Sequence, residues 1–275
     1  MEKQLHFESP SFYKRLKGML GVDFYRLFHT PLYYIFLTIA AIIPAMILGT
    51  GGMENPQTGE VSALLYTNVW NAIAADTPLY VFSHIGEYAN MNMVFIFGGI
   101  MVSIFIGHDY RSGYVKQLFT THAKKMDYML SKTISCAFAM ACMCITYLMG
   151  AVLAGALTGL GFSVNFGSLV IAIISKMIMS LGWASLYTFL NVIFRKQFGI
   201  SIASSFFFGT GILIIGAAAI LGNNGLLNIF LYGSSVFACL SSTPVTLLTC
   251  LVCSVVWTLI YNLLGTILLS RSDVY

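Results

Sequence analysis

The chain has 275 residues, of which 58% are hydrophobic and only 9% charged, with a mean hydropathy of +0.83. Soluble domains carry about 25% charged residues, so this sequence cannot cover a folded surface with polar groups in water. The net charge of +4 would invite a nucleic-acid partner only if the basic residues clustered for one, and they are instead dispersed between long uncharged runs.

The N-terminal stretch is charged and has no apolar core before Leu27, which argues against a cleaved leader. In residues 10–28 apolar side chains recur at Phe12, Leu16, Leu20, Phe24 and Leu27, close to helical spacing, with Lys14, Arg15, Lys17 and Arg26 between them. Basic residues on an apolar helix suit the headgroup layer of a membrane, so the spacing predicts an N-terminal interfacial amphipathic helix. A cytosolic extension of the first span fits the same pattern. Residues 27–53 lack any Asp, Glu, Lys or Arg and supply a first span, which Pro44 is expected to kink or end. The outer loop, 51–90, carries Glu54, Glu60, Asp76 and Glu87 but no Lys or Arg. Its apolar piece at 61–75 is too short to cross and suits a helix at the outer interface.

A second span follows at 91–107, and then comes the one long charged segment, 108–132. It holds Asp109, Arg111, Lys116, Lys124, Lys125, Asp127 and Lys132. Residues 133–175 are again uncharged and hold a third span to about 158. A glycine-rich turn at 159–168 leads to a fourth span, which stops at Arg195 and Lys196. A fifth is expected near 199–221 and a sixth near 245–269. GNNG at 222–225 and a non-spanning apolar segment at 226–242 lie between them. With both termini in the cytosol, all but one of the 14 Lys and Arg residues fall on the inner side, and none falls in an outer connection. The expected fold is therefore an all-α integral membrane protein, a single domain over 1–275 with six spans and both ends inside. Topology accounts for the basic residues without nucleic acid.

The remaining basic residue, Lys176, lies about nine residues into the fourth span. An ionisable group there is a candidate for a substrate path, although the side chain could snorkel outward, or the span could begin near Lys176 itself. Small residues recur four apart at Ala151, Gly155 and Gly159, and at Gly150, Ala154 and Thr158, as in close helix contacts.

Chemistry is sparse. There is no phosphate-binding loop, no H-E-x-x-H and no G-x-S-x-G elbow. His84 and Glu87 share a helical face but do not make a metal site. The six Cys sit mostly in apolar runs and read as small packing residues. No catalytic residue, metal site or cofactor is expected in this chain.

The charged segment is too long for a minimal turn. Leu118, Phe119, Met126, Tyr128, Met129 and Leu130 are embedded among its charges, a mixture that suits a short amphipathic helix docking into a protein groove. A basic hairpin touching anionic lipid has the same composition. The string Asp109, Tyr110, Arg111, Gly113, Lys116, Leu118, then Lys124 and Lys125, then Lys132, resembles the first cytoplasmic loop of type-two ABC exporter permeases. It departs from that pattern at Tyr114, where Thr is common, and in THAKK, where Pro or Ser precedes the basic residue. The likeness extends to the amphipathic helix before the first span, the six spans, and the short apolar segment between the last two. It implies that 108–132 contains a coupling helix seated in a cytosolic ATPase subunit, with Asp109, Arg111, Gly113, Lys116, Leu118, Phe119, Lys124, Lys125 and Asp127 at or near the contact. It further implies a second permease, identical or homologous, and ATP and Mg held on the partner subunit. The cargo would be hydrophobic or amphipathic, a peptide or lipid-like compound leaving across a bacterial cytoplasmic membrane. Within the segment, Asp109 and Arg111 are expected to hold its base by charge-assisted bonds, with Lys116, Lys124 and Lys125 facing the ATPase or lipid. A membrane scaffold or sensor whose basic loop binds a regulatory partner is the alternative function. A secondary transporter is disfavoured by the scarcity of charge in the spans.

Overall fold

A computed structural model describes residues 11–50, 52–54, 61–63, 85–120, 123–157, 166–195, 197–211, 229–240 and 243–271. They form helices α1 (Phe12–His29), α2 (Pro31–Thr50), α3 (Ile85–Arg111), α4 (Tyr114–Thr120), α5 (Lys125–Leu157), α6 (Phe166–Ile193), α7 (Phe198–Gly209), α8 (Leu231–Leu240) and α9 (Pro244–Arg271). Two three-residue strands, β1 (Gly52–Glu54) and β2 (Val61–Ala63), pair antiparallel with Met53 opposite Ser62.

Among the described residues four helices, α3, α5, α6 and α9, are long and apolar enough to cross a membrane, and the bent pair α1–α2 makes a fifth if it is one span. This is the architecture of a multi-pass helical membrane protein. The central helix is α6, which packs against α9, α5, α3, α8 and α7, while α2 and α1 pack on α5. By contrast α9 is peripheral, with 22% of its apolar window buried against 56–61% for α3, α5 and α6. Its exposed Leu248, Val252, Leu259 and Leu263 form a face that lipid would solvate.

The bend between α1 and α2 has a local cause. Pro31 starts α2, where its missing N–H costs nothing, and it disfavours helical dihedrals at Thr30. Thr30 accordingly adopts φ −97°, ψ 120°, and the two axes turn by 66°. The Thr30 hydroxyl donates to the Arg26 carbonyl at 2.6 Å, so one carbonyl freed by the break is satisfied. The helix α2 continues past Pro44 to Thr50, so Pro44 does not end it.

Three expected boundaries move. The helix α3 begins at Ile85, which places Glu87 within it and not in a loop reaching residue 90. At the other end α3 runs to Arg111, and α5 already starts at Lys125. The charged segment 108–132 is thus mostly the ends of two long helices, and only 112–124 lies between them. Charge does not stop these helices because partners on α1 neutralise it, as described next. The described part of the expected fifth span is the 12-residue α7, too short to cross alone. It ends at Thr210–Gly211, where Gly211 has φ +67° and lies flush against the Tyr232 ring. Residues 64–84, 158–165 and 212–228 lie outside the described residues. So do the core of the expected outer-interface helix, most of the glycine-rich turn, GNNG and the second half of the fifth span.

Candidate functional site at the base of the charged segment

The inward face of α1 carries Arg15, Met19, Asp23, Arg26 and Leu27, one helical stripe, and the outward face shows Tyr13, Lys17, Val22, Tyr25 and Phe28. Along the inward stripe α1 meets the charged starts and ends of its neighbours. Arg15 Nε donates to Asp127 Oδ2 at 2.7 Å in the first turn of α5. Lys132 Nζ, one turn further along α5, lies 2.5 Å from Asp23 Oδ1 and 2.6 Å from Asp109 Oδ2. Asp23 also accepts from the Ser131 hydroxyl at 2.6 Å. Arg26 donates to the other Asp109 oxygen. Asp23, Asp109, Asp127 and Lys132 are all buried, at 2%, 0%, 1% and 0% exposure. Two acids and two bases, Asp23, Asp109, Arg26 and Lys132, therefore form a neutral cluster that ties α1, α3 and α5 together. Buried charges persist only when they are paired in this way.

Aromatic rings cover the cluster. Arg26 lies 4.7 Å from the Tyr114 ring centroid and 5.5 Å from that of Phe105, and Lys132 Nζ lies 4.8 Å from the Phe105 centroid. Tyr114 is the first residue of α4, so the short helix is attached to the charged base through its own ring. Burial would lower the Arg26 pKa, but the Asp109 hydrogen bond and the charges of Asp109 and Asp23 outweigh it and move it upward. At Tyr114, burial raises the hydroxyl pKa against the opposing charge of Lys132. Both groups keep their ordinary charge near neutral pH.

The residues expected to contact a partner separate into two sets. Asp109 and Asp127 face inward, and Asp109 makes its charge-assisted contacts with Arg26 and Lys132. Arg111 is exposed, with its guanidinium 4.9 Å from the Phe198 ring centroid at the start of α7. Lys116, Gln117, Thr120 and Lys124 are exposed, and Lys125 is half-buried. Leu118 and Phe119 pack against a small core of Val115, Tyr128, Met129, Val192 and Leu269, and the Phe119 ring meets Tyr128 edge-on at 5.6 Å. So α4 has a packed face and a polar face. The turn before it depends on Gly113, whose φ is +74° and whose N–H donates to the Tyr110 carbonyl at 3.3 Å. Space is open around Gly113, so only the backbone conformation demands glycine. Gly113→Ala is expected to lose about 1 kcal/mol, visible as a lower midpoint of thermal unfolding.

Sequence reasoning overlooked Asp23 and assigned Arg15 and Arg26 to lipid headgroups. The available signal was that Asp23 is the only acid between Glu8 and Glu54, alone on a basic apolar helix. The expected substrate-path residue Lys176 is buried at 5% exposure between α6, α8 and α3. No group of His, Cys, Asp and Glu among the described residues could hold a metal ion. The fold and the charged base together define a multi-pass helical membrane protein with a helix-bearing connection between two long apolar helices. No protein-family model matches the chain, and no curated protein matches it either.

Proposed function

We propose that this chain is the permease subunit of an ATP-binding-cassette exporter, with α4 as the coupling helix between its second and third spans. The observation that carries this reading is the connection itself. A seven-residue helix with a polar face is fixed, through Tyr114 and a buried ion cluster, to three other helices at once. A push on α4 would be delivered to α1, α3 and α5 together, whereas a merely solvated loop needs no such anchorage. In this reading the spans number six, both termini are cytosolic, α1 lies in the inner interface, and the chain sits in a bacterial cytoplasmic membrane. ATP and Mg belong to a separate cytosolic subunit, and a second permease, identical or homologous, completes the complex. ATP-driven closure of the ATPases exchanges one packing of the bundle for another. The cargo is hydrophobic or amphipathic, peptide or lipid-like, by resemblance to the exporter family.

The test is a search of the adjacent reading frames for an ATPase with a phosphate loop and co-purification with it, followed by alanine replacement of the exposed Lys116, Gln117, Thr120 and Lys124. Loss of the complex, or of cargo-stimulated ATP hydrolysis by at least tenfold, with the permease still monodisperse, is the expected result. A complex and ATPase rate indifferent to all four replacements would leave the scaffold or sensor reading in its place.

A further inference from the structure

Along the Pro244 end of α9 runs an open groove that encloses about 610 Å³ among the described residues. One wall is a ridge of Leu248, Val252, Val256 and Ile260, each four residues from the next. The other is Thr249, Cys253 and Trp257, with Ile229, just before α8, beside them. Exposure along the ridge falls from 62% at Leu248 through 52% and 45% to 38% at Ile260, so the groove is most open near Pro244 and narrows toward the middle of α9. There Trp257 belongs to a stack of four rings. It lies 5.8 Å from Phe230 and 5.2 Å from Tyr261, which lies 5.6 Å from Phe189.

The polar side chains of the lining are already satisfied. The Thr249 hydroxyl donates to the Val245 carbonyl at 2.9 Å, and the Cys253 thiol and the Trp257 indole both donate to the Ile229 carbonyl, at 3.4 and 2.8 Å. None of these donors is left for a polar guest, or for water, which needs about two to four polar partners. Dimensions then select among apolar occupants. From Leu248 to Ile260 the groove runs about 18 Å at the α-helical rise, close to the half-thickness of a bilayer's hydrocarbon core, about 15 Å. Its volume over that length gives a section of about 34 Å². One hydrocarbon chain fits that section, and an α-helix, about 10–12 Å across with its side chains, does not. Helices that meet in lipid do so through small or polar residues. The ridge is instead all branched aliphatic, while α9 turns Gly265 inward onto Met129 and Ser254 onto the Ile178 carbonyl. Hydrocarbon is what the membrane core offers, and an unfilled groove would forfeit dispersion contacts along its whole lining.

We propose that this groove holds a single acyl chain of a bilayer lipid, drawn from the leaflet on the Pro244 side, with the end of the chain against Trp257. The taper and the closed ring stack set its direction, and the length of the groove sets its reach. The site does not depend on the exporter reading, because a seated lipid requires neither an ATPase nor transport.

Trp257 reports on its own groove. The chain has three Trp, so Trp70→Phe/Trp183→Phe leaves Trp257 as the sole indole of the full-length protein. The chain is placed at one copy per nanodisc in phosphatidylcholine mixed with the same lipid brominated near its chain ends, bromine quenching an indole on contact. An indole that touches several lipids keeps its emission only when none of them is brominated, so its emission falls more steeply than the brominated fraction rises. An indole reached by one lipid loses emission in direct proportion. Proportional loss is expected at Trp257. Steeper loss is expected from the indole introduced by Leu259→Trp, on the open face of α9 at nearly the same depth, in a chain that also carries Trp257→Phe. Val252→Phe, which fills the groove short of Trp257, is expected to cut the quenching of Trp257 severalfold. If Val252→Phe does not fold, Leu248→Phe at the mouth of the groove takes its place. Equally steep loss at the two positions, no quenching of Trp257, or quenching indifferent to the filling substitution would overturn the site. Quenching that is lost when the discs hold two copies would seat a second copy of this chain in the groove and overturn the lipid assignment.

Discussion

Lys132→Met is expected to cost about 3–5 kcal/mol of stability, the size of effect seen when one partner of a buried ion pair is removed. Methionine nearly fills the space of the lysine stem, so the loss is electrostatic. Asp109 keeps Arg26, but among the described residues Asp23 keeps the Ser131 hydroxyl as its hydrogen-bond donor and the charge of Arg26 through space. An almost fully buried carboxylate that has lost its directly bonded cation is the costly product. The double variant Asp23→Asn/Lys132→Met removes both charges and leaves Arg26 with Asp109, so it is expected to recover most of the loss. Unfolding free energies of the two single variants, the double and the parent, measured in one lipid or detergent system, give the coupling directly. If the double variant is as unstable as the sum of the singles, the Asp23–Lys132 pair contributes nothing. The same cluster has a functional consequence under the exporter reading. Asp23→Asn/Lys132→Met should keep a folded permease yet loosen α1 from α5, so its ATPase should bind while cargo-stimulated hydrolysis falls.

The multi-pass helical class and most long helices were legible because they depend on composition and on runs without charge. The ends of α6 and α9 follow from Arg195 and Arg271, where apolar sequence stops. The ends of α3 and α5 were less legible for a physical reason. A charged residue marks a helix end only when it must reach water, and Asp109, Asp127 and Lys132 instead reach α1. Their partners are about 80–110 positions away in sequence, a separation to which helical periodicity is blind. The start of α3 was hidden for a similar reason, since a lone Glu87 does not break a helix. At the charged segment, the turn at Gly113 and the outward lysines were readable from local composition. The inward direction of Asp109 and Asp127 was not, because direction depends on the tertiary partner.

One substitution, made at two glycines, is expected to act with opposite sign. Gly21 lies on the exposed face of α1, where a Cβ would meet nothing within 4 Å. Gly21→Ala should stabilise by about 0.5–1 kcal/mol, the usual gain from replacing a helical glycine. Gly150 lies in α5 against α2, and a Cβ there would fall 2.1 Å from the Ala41 carbonyl oxygen. That neighbour is backbone and cannot rotate away, so α2 and α5 must separate by more than 1 Å to restore ordinary contact. Overpacking of this kind costs about 1–3 kcal/mol, and in lipid the lost contact along α2 is not replaced by a hydrophobic gain. Gly150→Ala should therefore destabilise despite the better helix propensity of alanine, and Gly150→Val should do so more severely. The strain also reaches the ion cluster, because α1 joins α2 through Thr30 and Pro31 while its charges grip α5. Separation of α2 from α5 would pull Arg15 and Asp23 away from Asp127 and Lys132. Gly150→Ala combined with Asp23→Asn/Lys132→Met should consequently lose less than the two changes made separately. Equal, positive effects of Ala at Gly21 and Gly150 would show that the close approach of α2 and α5 is not what glycine serves there.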